Sequence, residues 1–442
     1  MKQYYVEQVT EKIGETVTLY GWVDTKRDHK KIVFIDLRDR TGKVQVVGDE
    51  SLKELSPEDV IEITGTVKKR PDKLINPKIP TGTIEIEMQS FKLLSRAAEL
   101  PFDMNKEELD VTLPILLDYR SLTLRHPRVS KIFKVQHELM QGFRKMCEKY
   151  GCTEVFVPTI AASATEGGTE VFKFDYYGHQ AYLTQSPQLY KQMMIPVFER
   201  VFTIAQAYRA EPSVTTRHLA QSTQMDCEFG FVDFYDLLNI IEDYALGMFK
   251  YAQDKSEDIF TEFKVDKILF GKPPRLTLRE AQEIIFKEFG RDGRQEKDLS
   301  PQDEVDICKW ARETHKSDFV TITHFPTKKR AFYTMPDPKN PEYSLSYDIL
   351  FRGLEILSGS QRIHNYDQLV QEIKDRGMDP KNFEMYLMAF KYGMPPEGGF
   401  SFGLERLTMK ILNLANVREA SLFPRDMERV DIRLSTLETK KK

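Results

Sequence analysis

Charged side chains gather between two apolar segments in residues 208–231, which read YRAEPSVTTRHLAQSTQMDCEFGF. Arg209 and Glu211 end the first apolar segment, and Arg217 and His218 follow a polar turn. Guanidinium groups form planar forks that bind phosphate oxygens, so several of them can neutralise a triphosphate. Ordinary surface ion pairs would have the same composition. The stretch alone therefore leaves two alternatives, a nucleotide site and a charged loop.

Three other segments carry groups that suit the same chemistry: SATEGGTEVF (163–172), LTQSPQLYKQ (183–192) and SYDILFRGLEILSGSQRIHNYD (346–367). The second segment spaces Gln188 and Lys191 three residues apart, which puts them on one face if the segment is helical. In the third segment, Asp348 and Glu355 are candidate ligands for Mg²⁺, an ion that prefers carboxylate and phosphate oxygens. These clusters favour a polar ligand site over isolated ion pairs.

A glycine-containing segment, GGFSFGLERL (398–407), lies towards the C-terminal end. Its glycines permit a close approach of the backbone to a ligand, and Arg406 opens a predicted helix. The phosphate-binding patterns GxxxxGK and GxGxxG do not occur in the sequence. A nucleotide site in this chain would therefore depend on arginines instead of a glycine-rich phosphate loop.

The elements around these residues predict an α+β domain. The segments 201–208 and 224–231 alternate in polarity and predict a hairpin, which would place Arg209 and Glu211 on one face of a strand. Residues 127–150 repeat apolar side chains every three or four positions and predict a helix that ends at Gly151. Strands and helices then mix without a βαβ order, which indicates an antiparallel sheet flanked by helices.

The N-terminal region predicts a small barrel. Its five strand-like segments are VTLYGWVD, KIVFIDLRD, KVQVVGD, DVIEITGTVKKR and TIEIEMQSFKLL, with a short helical patch at 51–56 between the third and fourth. This order fits an OB-type barrel that binds single-stranded nucleic acid, although a barrel without a ligand would have the same pattern. The basic run KRDHKK (26–31) supplies a local patch for phosphates.

The composition is that of a globular protein, with 40% hydrophobic and 30% charged residues. The net charge of −4 excludes an overall basic protein but not a local basic surface. No run of 18 apolar residues predicts a membrane span, and the first residues lack the apolar core of a signal peptide. The four cysteines form no CxxC pair, so we expect reduced thiols, a cytoplasmic location and no structural zinc.

Several of these segments resemble one family. YRAE…TTRHL resembles motif 2 of the class II aminoacyl-tRNA synthetases, GGFSFGLERL resembles motif 3, and helix 127–150 with VFVP resembles motif 1. TEGGTEVF, QSPQLYKQ and SGSQRIH narrow the resemblance to the compact aspartyl-tRNA synthetases of archaea and eukaryotes, and it covers nearly the whole chain. The resemblance implies a ligase that activates L-aspartate with ATP and Mg²⁺ and transfers it to the 3′-OH of tRNA(Asp), with tRNA(Asn) as a second acceptor left open.

The resemblance also implies a domain organisation. Residues 1–98 would be an OB-fold anticodon-binding domain, 99–126 a hinge, and 127–442 the catalytic domain with a helical insertion at about 235–335. Motif 1, with Pro158, would form the two-fold interface of a homodimer.

Site residues follow from the same resemblance, each at its matching position. The catalytic residues would be Arg209, Arg217 and Arg406. The aspartate contacts would be Glu166, Gln188, Lys191, Arg209, Asp226, Ser358 and Arg362. The ATP contacts would be Arg209, Ala210, Glu211, Arg217, His218, Leu219, Glu355, Gly403, Leu404, Glu405 and Arg406. The Mg²⁺ ligands would be Asp348, Glu355 and Ser358. The anticodon contacts would be Arg27, Phe34, Gln45 and Glu85, and Phe34 could alternatively be a core aromatic residue.

Two positions depart from the family pattern. Ser222 stands where a phenylalanine often stacks on adenine, and Phe402 is expected to alter the packing of the nucleotide floor.

The resemblance also implies that Lys191 and Arg362 bind the side-chain carboxylate of the substrate aspartate. Asparagine would then leave those two cations unpaired. We expect Lys191→Met to abolish the use of aspartate and to leave the fold intact.

Three other functions remain alternatives. They are an asparaginyl-tRNA synthetase of the same fold, an ammonia-dependent asparagine synthetase, and a tRNA-binding paralogue without catalysis. The lysine of QSPQLYK argues against the first, and the N-terminal barrel argues against the second.

Overall fold

The computed structural model of the protein describes residues 4–163, 170–212 and 215–437. The chain forms two compact units, Met1–Thr112 and Leu113–Lys442. None of the helices in the described ranges combines the length and the apolar character that crossing a membrane requires.

The described residues of the first unit form a closed barrel in the order β1-β2-β3-β5-β4. Its strands are β1 (Thr16–His29), β2 (Ile32–Arg38), β3 (Lys43–Gly48), β4 (Val60–Lys69) and β5 (Ile84–Ser95). Alternation along β2 buries Val33 and Ile35 in the barrel core and leaves Phe34 outside that core. The predicted five-stranded OB-type barrel is confirmed, and the interpretation of Phe34 as a core aromatic residue is wrong.

The second unit is built on a mixed sheet of eight described strands, in the order β12-β13-β16-β17-β18-β11-β10-β6. The strands of this unit are β6 (Thr153–Glu154), β7 (Ile160–Ala161), β8 (Lys173–Tyr176), β9 (His179–Leu183), β10 (Arg200–Tyr208), β11 (Gln221–Gly230), β12 (Arg275–Thr277), β13 (Phe319–Thr323), β14 (Pro336–Asp337), β15 (Asn340–Ser344), β16 (Ser346–Phe351), β17 (Glu355–Gln361) and β18 (Glu397–Gly403). The central pairs are antiparallel, as predicted, and a parallel pair lies at each edge.

Helices cover the sheet. They are α1 (Leu113–Asp118), α2 (Arg120–Thr123), α3 (Pro127–Lys149), α4 (Gln188–Met193), α5 (Ile195–Phe198), α6 (Phe234–Lys255), α7 (Glu257–Glu262), α8 (Leu278–Phe289), α9 (Pro301–His315), α10 (Tyr366–Asp375), α11 (Glu384–Lys391) and α12 (Leu404–Ile411). The predicted helix 127–150 is α3, whose buried stripe includes Val135, Leu139 and Phe143. Helices α6 to α9 alternate with β12 and β13, so the region of the predicted insertion also supplies strands to the main sheet.

Phe402 lies on the core side of the sheet. Its ring is fully buried, 6.3 Å from the ring of Phe143 and 5.7 Å from that of Phe400. Successive side chains of a strand point to opposite faces, so Ser401 and Gly403 face the other side. Phe402 therefore packs the core, and the expectation that it alters a nucleotide floor is wrong.

The strand register sets one row of polar residues across four neighbouring strands. Asp226 on β11 pairs with Ser401 on β18, Ser401 pairs with Ser358 on β17, and Ser358 pairs with Asp348 on β16. Directly paired residues share a face of a sheet. The row Asp226–Ser401–Ser358–Asp348 is called the polar row below, and it runs through the candidate site.

Candidate functional site

Lys191 is the most deeply buried cation of the site. The short helix α4 directs its side chain against β11, where the exposed fraction is 0%. Its Nζ donates to Asp226 Oδ1 at 2.7 Å and lies 3.1 Å from Glu228 Oε2. It also donates to the carbonyl oxygens of Cys227 at 3.2 Å and Phe400 at 3.1 Å. Lys191 therefore ties α4, β11 and β18 together.

Arg362 is the second buried cation, with 4% of its surface exposed. Its Nε donates to Glu228 Oε1 at 2.7 Å. The two terminal nitrogens donate to Ser360 Oγ at 2.6 Å, to Gln188 Oε1 at 3.2 Å and to the Gly399 carbonyl at 2.9 Å. Lys191 and Arg362 thus share one carboxylate, that of Glu228, and together with Asp226 they form the ion network of the site.

The charges of this network support one another. Burial alone would lower the pKa of Lys191, but Asp226 and Glu228 outweigh it and the pKa lies above its ordinary value. Burial would raise the pKa of Glu228, but Arg362 and Lys191 hold it below the ordinary range. The pKa of Asp226 is raised, because burial outweighs the attraction of Lys191. Two cations and two carboxylates consequently balance inside the protein.

Glycine at position 399 gives the network its space. A Cβ atom there would lie 2.3 Å from Glu228 Oε2 and 2.2 Å from the Cys227 carbonyl oxygen, closer than non-bonded atoms approach. The second glycine of the GGFSFGLERL segment is therefore needed for the close approach of β18 to Glu228, and not only for a ligand.

Sequence reasoning missed Glu228, although a signal was present. Glu228 lies two residues after Asp226 on the same strand and so faces the same side of the sheet. Lys191 and Arg362 already have anionic partners within the protein, so asparagine would not leave these cations unpaired.

An arginine-lined cleft adjoins the ion network, because Ser401 lines the cleft and its hydroxyl donates to Asp226 Oδ2 at 2.8 Å. Ten of the predicted site residues line this cleft: Arg209, Glu211, Arg217, His218, Leu219, Glu355, Ser358, Gly403, Glu405 and Arg406. Ser222 lines it as well. The structure thus brings the arginines of two distant segments to one cavity.

Arg209 and Glu211 lie beyond the strand that was predicted to carry them. Strand β10 ends at Tyr208, so strand alternation does not set their direction, and that expectation is wrong. They meet in the cleft nonetheless, since Arg209 Nη1 lies 3.7 Å from Glu211 Oε1. Glu211 Oε2 lies 3.7 Å from His218 Nε2. Burial and the nearby Arg406 lower the pKa of His218, which favours its neutral form at pH 7.

Two other predicted ATP residues have different surroundings. The Leu404 side chain packs in the main core and does not line the cleft. Ala210 does not line it either, and its N–H donates to the Glu170 carbonyl at 3.0 Å. Glu405 lines the cleft, and its two carboxylate oxygens accept from the Thr223 N–H at 3.0 and 2.9 Å, which fixes the start of β11.

At the acidic end of the cleft, two of the three predicted Mg²⁺ ligands, Glu355 and Ser358, line the cavity. The third, Asp348, does not line it and pairs with Ser358 on the neighbouring strand. Asp348 and Ser358 both accept hydrogen bonds from Arg330, another residue that sequence reasoning missed. The Glu355 side chain has neither a hydrogen bond nor an ion pair among the described residues. Burial and the neighbouring Asp348 raise the pKa of Glu355 to about 7. In the described part of the chain, no group of three or more His, Cys, Asp or Glu side chains is placed to hold a metal ion.

Helix α9 contributes a further acidic residue, Glu304. Its Oε2 lies 3.5 Å from Arg217 Nη1. Burial, together with Glu355, raises the pKa of Glu304 to about 7, although Arg217 and Arg406 oppose the shift. Helix periodicity alone could not show that Glu304 faces a loop 87 residues earlier. Another predicted residue, Glu166, lies outside the described residues.

The predicted anticodon residues meet on one surface of the barrel. Arg27 Nη2 donates to Gln45 Oε1 at 3.2 Å, and Gln45 Nε2 donates to Glu85 Oε2 at 3.0 Å. Arg70, which was not predicted, also donates to Gln45 Oε1, at 3.3 Å. Gln45 is only 6% exposed, so it supports Arg27 and Glu85 from beneath. Phe34 lies on the neighbouring strand position that pairs with Arg27.

Replacement of Lys191 should test the network. Lys191→Met would leave the carboxylates of Asp226 and Glu228 buried without a cation, so we expect the free energy of unfolding to fall by about 3–5 kcal/mol. The sequence had suggested an intact fold. Urea denaturation measures the loss, and Lys339→Met, on an exposed loop, is the control that should change stability by less than about 0.5 kcal/mol. Equal stability of Lys191→Met and wild type would contradict the network.

The raised pKa of Glu304 should make the free energy of unfolding depend on pH. A carboxyl whose pKa rises from 4.5 to about 7 on folding favours the folded state when protonated, so its ionisation costs stability above pH 7. We expect Glu304→Gln to be more stable than wild type at pH 8, by at most about 3 kcal/mol. The difference should shrink as the pH falls from 7 and vanish below 4.5.

Urea denaturation of the chelated, nucleotide-free protein at several pH values measures this difference. Glu313→Gln, at an exposed position of the same helix, should show no such trend. A stability difference that stays constant across the pH range would refute the assignment.

Comparison with known proteins assigns both parts of the chain to known families. Residues 112–427 match the family described as tRNA synthetases class II (D, K and N), and residues 17–94 match the OB-fold nucleic acid binding domain. The chain is 41% identical over 428 residues to an aspartate–tRNA(Asp/Asn) ligase of Thermus thermophilus, covering 96% of this chain and 99% of that protein. It is 40% identical to the ligase of the same name from Archaeoglobus fulgidus, covering 97% and 100%.

Solved structures of related enzymes have the same fold. The asparaginyl-tRNA synthetase of Pyrococcus horikoshii, complexed with asparaginyl-adenylate, superposes with a TM-score of 0.88 at 32% identity and covers 97% of this chain and 99% of that chain. The aspartyl-tRNA synthetase of Entamoeba histolytica superposes with a TM-score of 0.85 at 28% identity, covering 97% and 93%. The chain therefore belongs to the class II aminoacyl-tRNA synthetases of the aspartate, lysine and asparagine group.

Proposed function

We propose that the protein is an aspartate–tRNA ligase, which activates L-aspartate with ATP and esterifies it to tRNA. The observation that carries the proposal is the adjacency of two sites on one sheet. The ion network with Lys191 and Arg362 lies next to the arginine-lined cleft, and Ser401 contacts both. Such a site can hold an amino acid and a nucleotide together. Relatives named aspartate–tRNA ligases, which match over nearly the whole chain, support the same reaction.

In the first step, the substrate α-carboxylate attacks the α-phosphorus of ATP and pyrophosphate leaves. No protein nucleophile is required, so positioning and charge neutralisation would carry the catalysis. Arg209, Arg217 and Arg406 line the cleft and would bind the phosphates. Arg217 would exchange its contact with Glu304 for phosphate oxygens. Glu405 holds the start of β11, which keeps the cleft wall in place.

Glu355 and Ser358 fit a Mg²⁺ ion. The Glu355 carboxylate lines the cleft and has no ion pair among the described residues, and Ser358 offers a hydroxyl oxygen that also lines the cleft. Mg²⁺ usually takes one or two protein carboxylates together with phosphates and waters. When bound, the ion would neutralise charge on the phosphates of ATP.

Aspartate would lie against the ion network. Gln188 and Ser358 offer polar side chains on either side, and Asp226 could receive the substrate ammonium group. Asparagine is the second candidate substrate for two reasons. The network is electrically balanced without a substrate, and asparaginyl-tRNA synthetases superpose closely on this chain. Aspartate remains our first choice, because the relatives of higher identity are named aspartate–tRNA ligases.

In the second step, the 3′-OH of the terminal adenosine of tRNA would attack the carbonyl carbon of the aspartyl-adenylate, the bond to the phosphate would break, and AMP would leave. The barrel would bind the anticodon, with Phe34 stacking on a base and Arg27 and Glu85 binding base edges. Gln45 would hold these two side chains in place. We also propose a homodimer that forms through the segment at Pro158, where the neighbouring Phe156 is 89% exposed.

Pyrophosphate exchange tests the activation step. With Mg²⁺ and aspartate, the protein should incorporate labelled pyrophosphate into ATP, and Arg209→Gln should lower the rate by about 10²–10³-fold, because a cation at the phosphates is lost. Arg294→Gln is the matched control, since its side chain is 40% exposed against 42% for Arg209 and it lies outside the cleft.

The outcomes separate the alternatives. Exchange with asparagine and not with aspartate would indicate an asparaginyl-tRNA synthetase. No exchange with either amino acid would indicate a tRNA-binding protein without catalysis.

Charging of purified transcripts tests the barrel. We expect aspartylation of tRNA(Asp), and the rate with tRNA(Asn) decides whether the enzyme accepts both. Arg27→Gln should raise the KM for tRNA about tenfold and leave pyrophosphate exchange unchanged, because Arg27 lies in the first unit. Arg40→Gln, an exposed arginine of the same barrel, should leave the KM unchanged. An unchanged KM in Arg27→Gln would remove that side chain from the tRNA surface.

A further inference from the structure

The guanidinium group of Arg330 lies next to the cleft, because it donates to Ser358, which lines the cleft. Backbone and ring contacts hold it there. The Arg330 carbonyl accepts from Arg376 Nη1 at 2.6 Å, and the Thr327 carbonyl accepts from Arg376 Nη2 at 3.1 Å. The guanidinium carbon lies 3.9 Å from the centroid of the Phe325 ring. Arg330 is therefore a fixed group, unlike the exposed lysines that precede it.

Asp348 is fully engaged by this guanidinium. Arg330 Nη1 donates to Asp348 Oδ1 at 3.1 Å, and Nη2 donates to Oδ2 at 2.6 Å. Nη1 also donates to Ser358 Oγ at 3.1 Å. The two-pronged geometry is the strongest form of an arginine–carboxylate pair, and a buried carboxylate requires such a partner. Both oxygens that could ligate a metal ion thus already face a cation.

Glu355 has the opposite surroundings. Its carboxylate lines the cleft and has neither an ion pair nor a hydrogen bond among the described residues. It lies on β17, three residues before Ser358, while Asp348 lies on the neighbouring strand β16. Of the two carboxylates predicted to hold Mg²⁺, only Glu355 therefore has oxygens without a hydrogen-bonded cation among the described residues.

We propose that Arg330 is the permanent counter-cation of Asp348, so that Asp348 positions Arg330 and Ser358 and does not ligate Mg²⁺. Glu355 remains as the carboxylate ligand. A divalent ion on Asp348 would displace a two-pronged ion pair and lie beside a fixed positive charge. The proposal rests on the proposed function only in taking the cleft as the site of Mg²⁺ and ATP.

The polar row supports this assignment. Its two end residues are Asp226 and Asp348, and each has a buried or half-buried cation, Lys191 at one end and Arg330 at the other. A carboxylate at an end of the row is thus neutralised by the protein itself. Glu355 lies outside the row, and its side chain makes no ion pair with any residue that the structure describes.

Manganese binding to the full-length protein tests the proposal without turnover. The signal of free Mn²⁺ in electron paramagnetic resonance measures binding in the presence of ATP and in the absence of aspartate and tRNA. We expect Glu355→Gln to weaken Mn²⁺ binding about tenfold or more, because it removes a ligand charge. Asp348→Asn and the control Lys329→Met should change it less than about twofold. A loss in Asp348→Asn equal to that in Glu355→Gln would overturn the proposal.

A second comparison uses Arg330 itself. Arg330→Met frees the Asp348 carboxylate, so we expect it to bind Mn²⁺ about tenfold more tightly than wild type, and Arg330→Met/Asp348→Asn should lose that gain. Unchanged affinity in Arg330→Met would contradict a counter-cation role. Thermal unfolding in the presence of a chelator checks each variant. If Arg330→Met does not fold, the comparison of Asp348→Asn with Glu355→Gln decides the question. Absence of aspartate-dependent exchange would leave these binding results unaffected, so failure of the two proposals can be distinguished.

Discussion

A fully buried lysine between two carboxylates sets the geometry of the second unit. Lys191 can be buried only because Asp226 and Glu228 face it from alternate positions of β11. This requirement fixes helix α4 against the middle of the sheet. It also fixes glycine at position 399 on the neighbouring strand, since a side chain there would collide with Glu228. The motif segments that are distant in sequence are thus joined by one electrostatic constraint.

The sheet extends this constraint to the nucleotide cleft. Asp226, Ser401, Ser358 and Asp348 follow one another across four antiparallel strands, so the ion network and the acidic end of the cleft have a fixed separation. A one-residue slip of any of these strands would turn its polar residue into the core. Core residues such as Phe402 and Phe143 hold the register from the opposite face. Packing on one side of the sheet therefore maintains the chemistry on the other.

Much of this architecture could be predicted from the sequence. Alternating polarity predicted the barrel and the β10–β11 hairpin, and helical periodicity predicted α3, because these signals are local. The motif resemblance predicted that Arg209, Arg217 and Arg406 share one site, and all three line one cleft. Partners that come from distant segments could not be predicted. Glu228, Arg330 and Glu304 became visible only when the fold brought them to Lys191, Asp348 and Arg217. The prediction for Phe402 failed because the sequence did not show which face of strand β18 points into the core.

The central claim is that the ion network and the cleft hold a single ligand, aspartyl-adenylate, across the polar row. Calorimetric titration with a non-hydrolysable aspartyl-adenylate analogue, compared with the asparaginyl analogue, tests it most directly. We expect the aspartyl analogue to bind about a hundredfold more tightly than aspartate or ATP alone, because it fills both sites at once, and the comparison with the asparaginyl analogue decides the substrate. An affinity no greater than that of ATP alone would contradict a single ligand across the polar row.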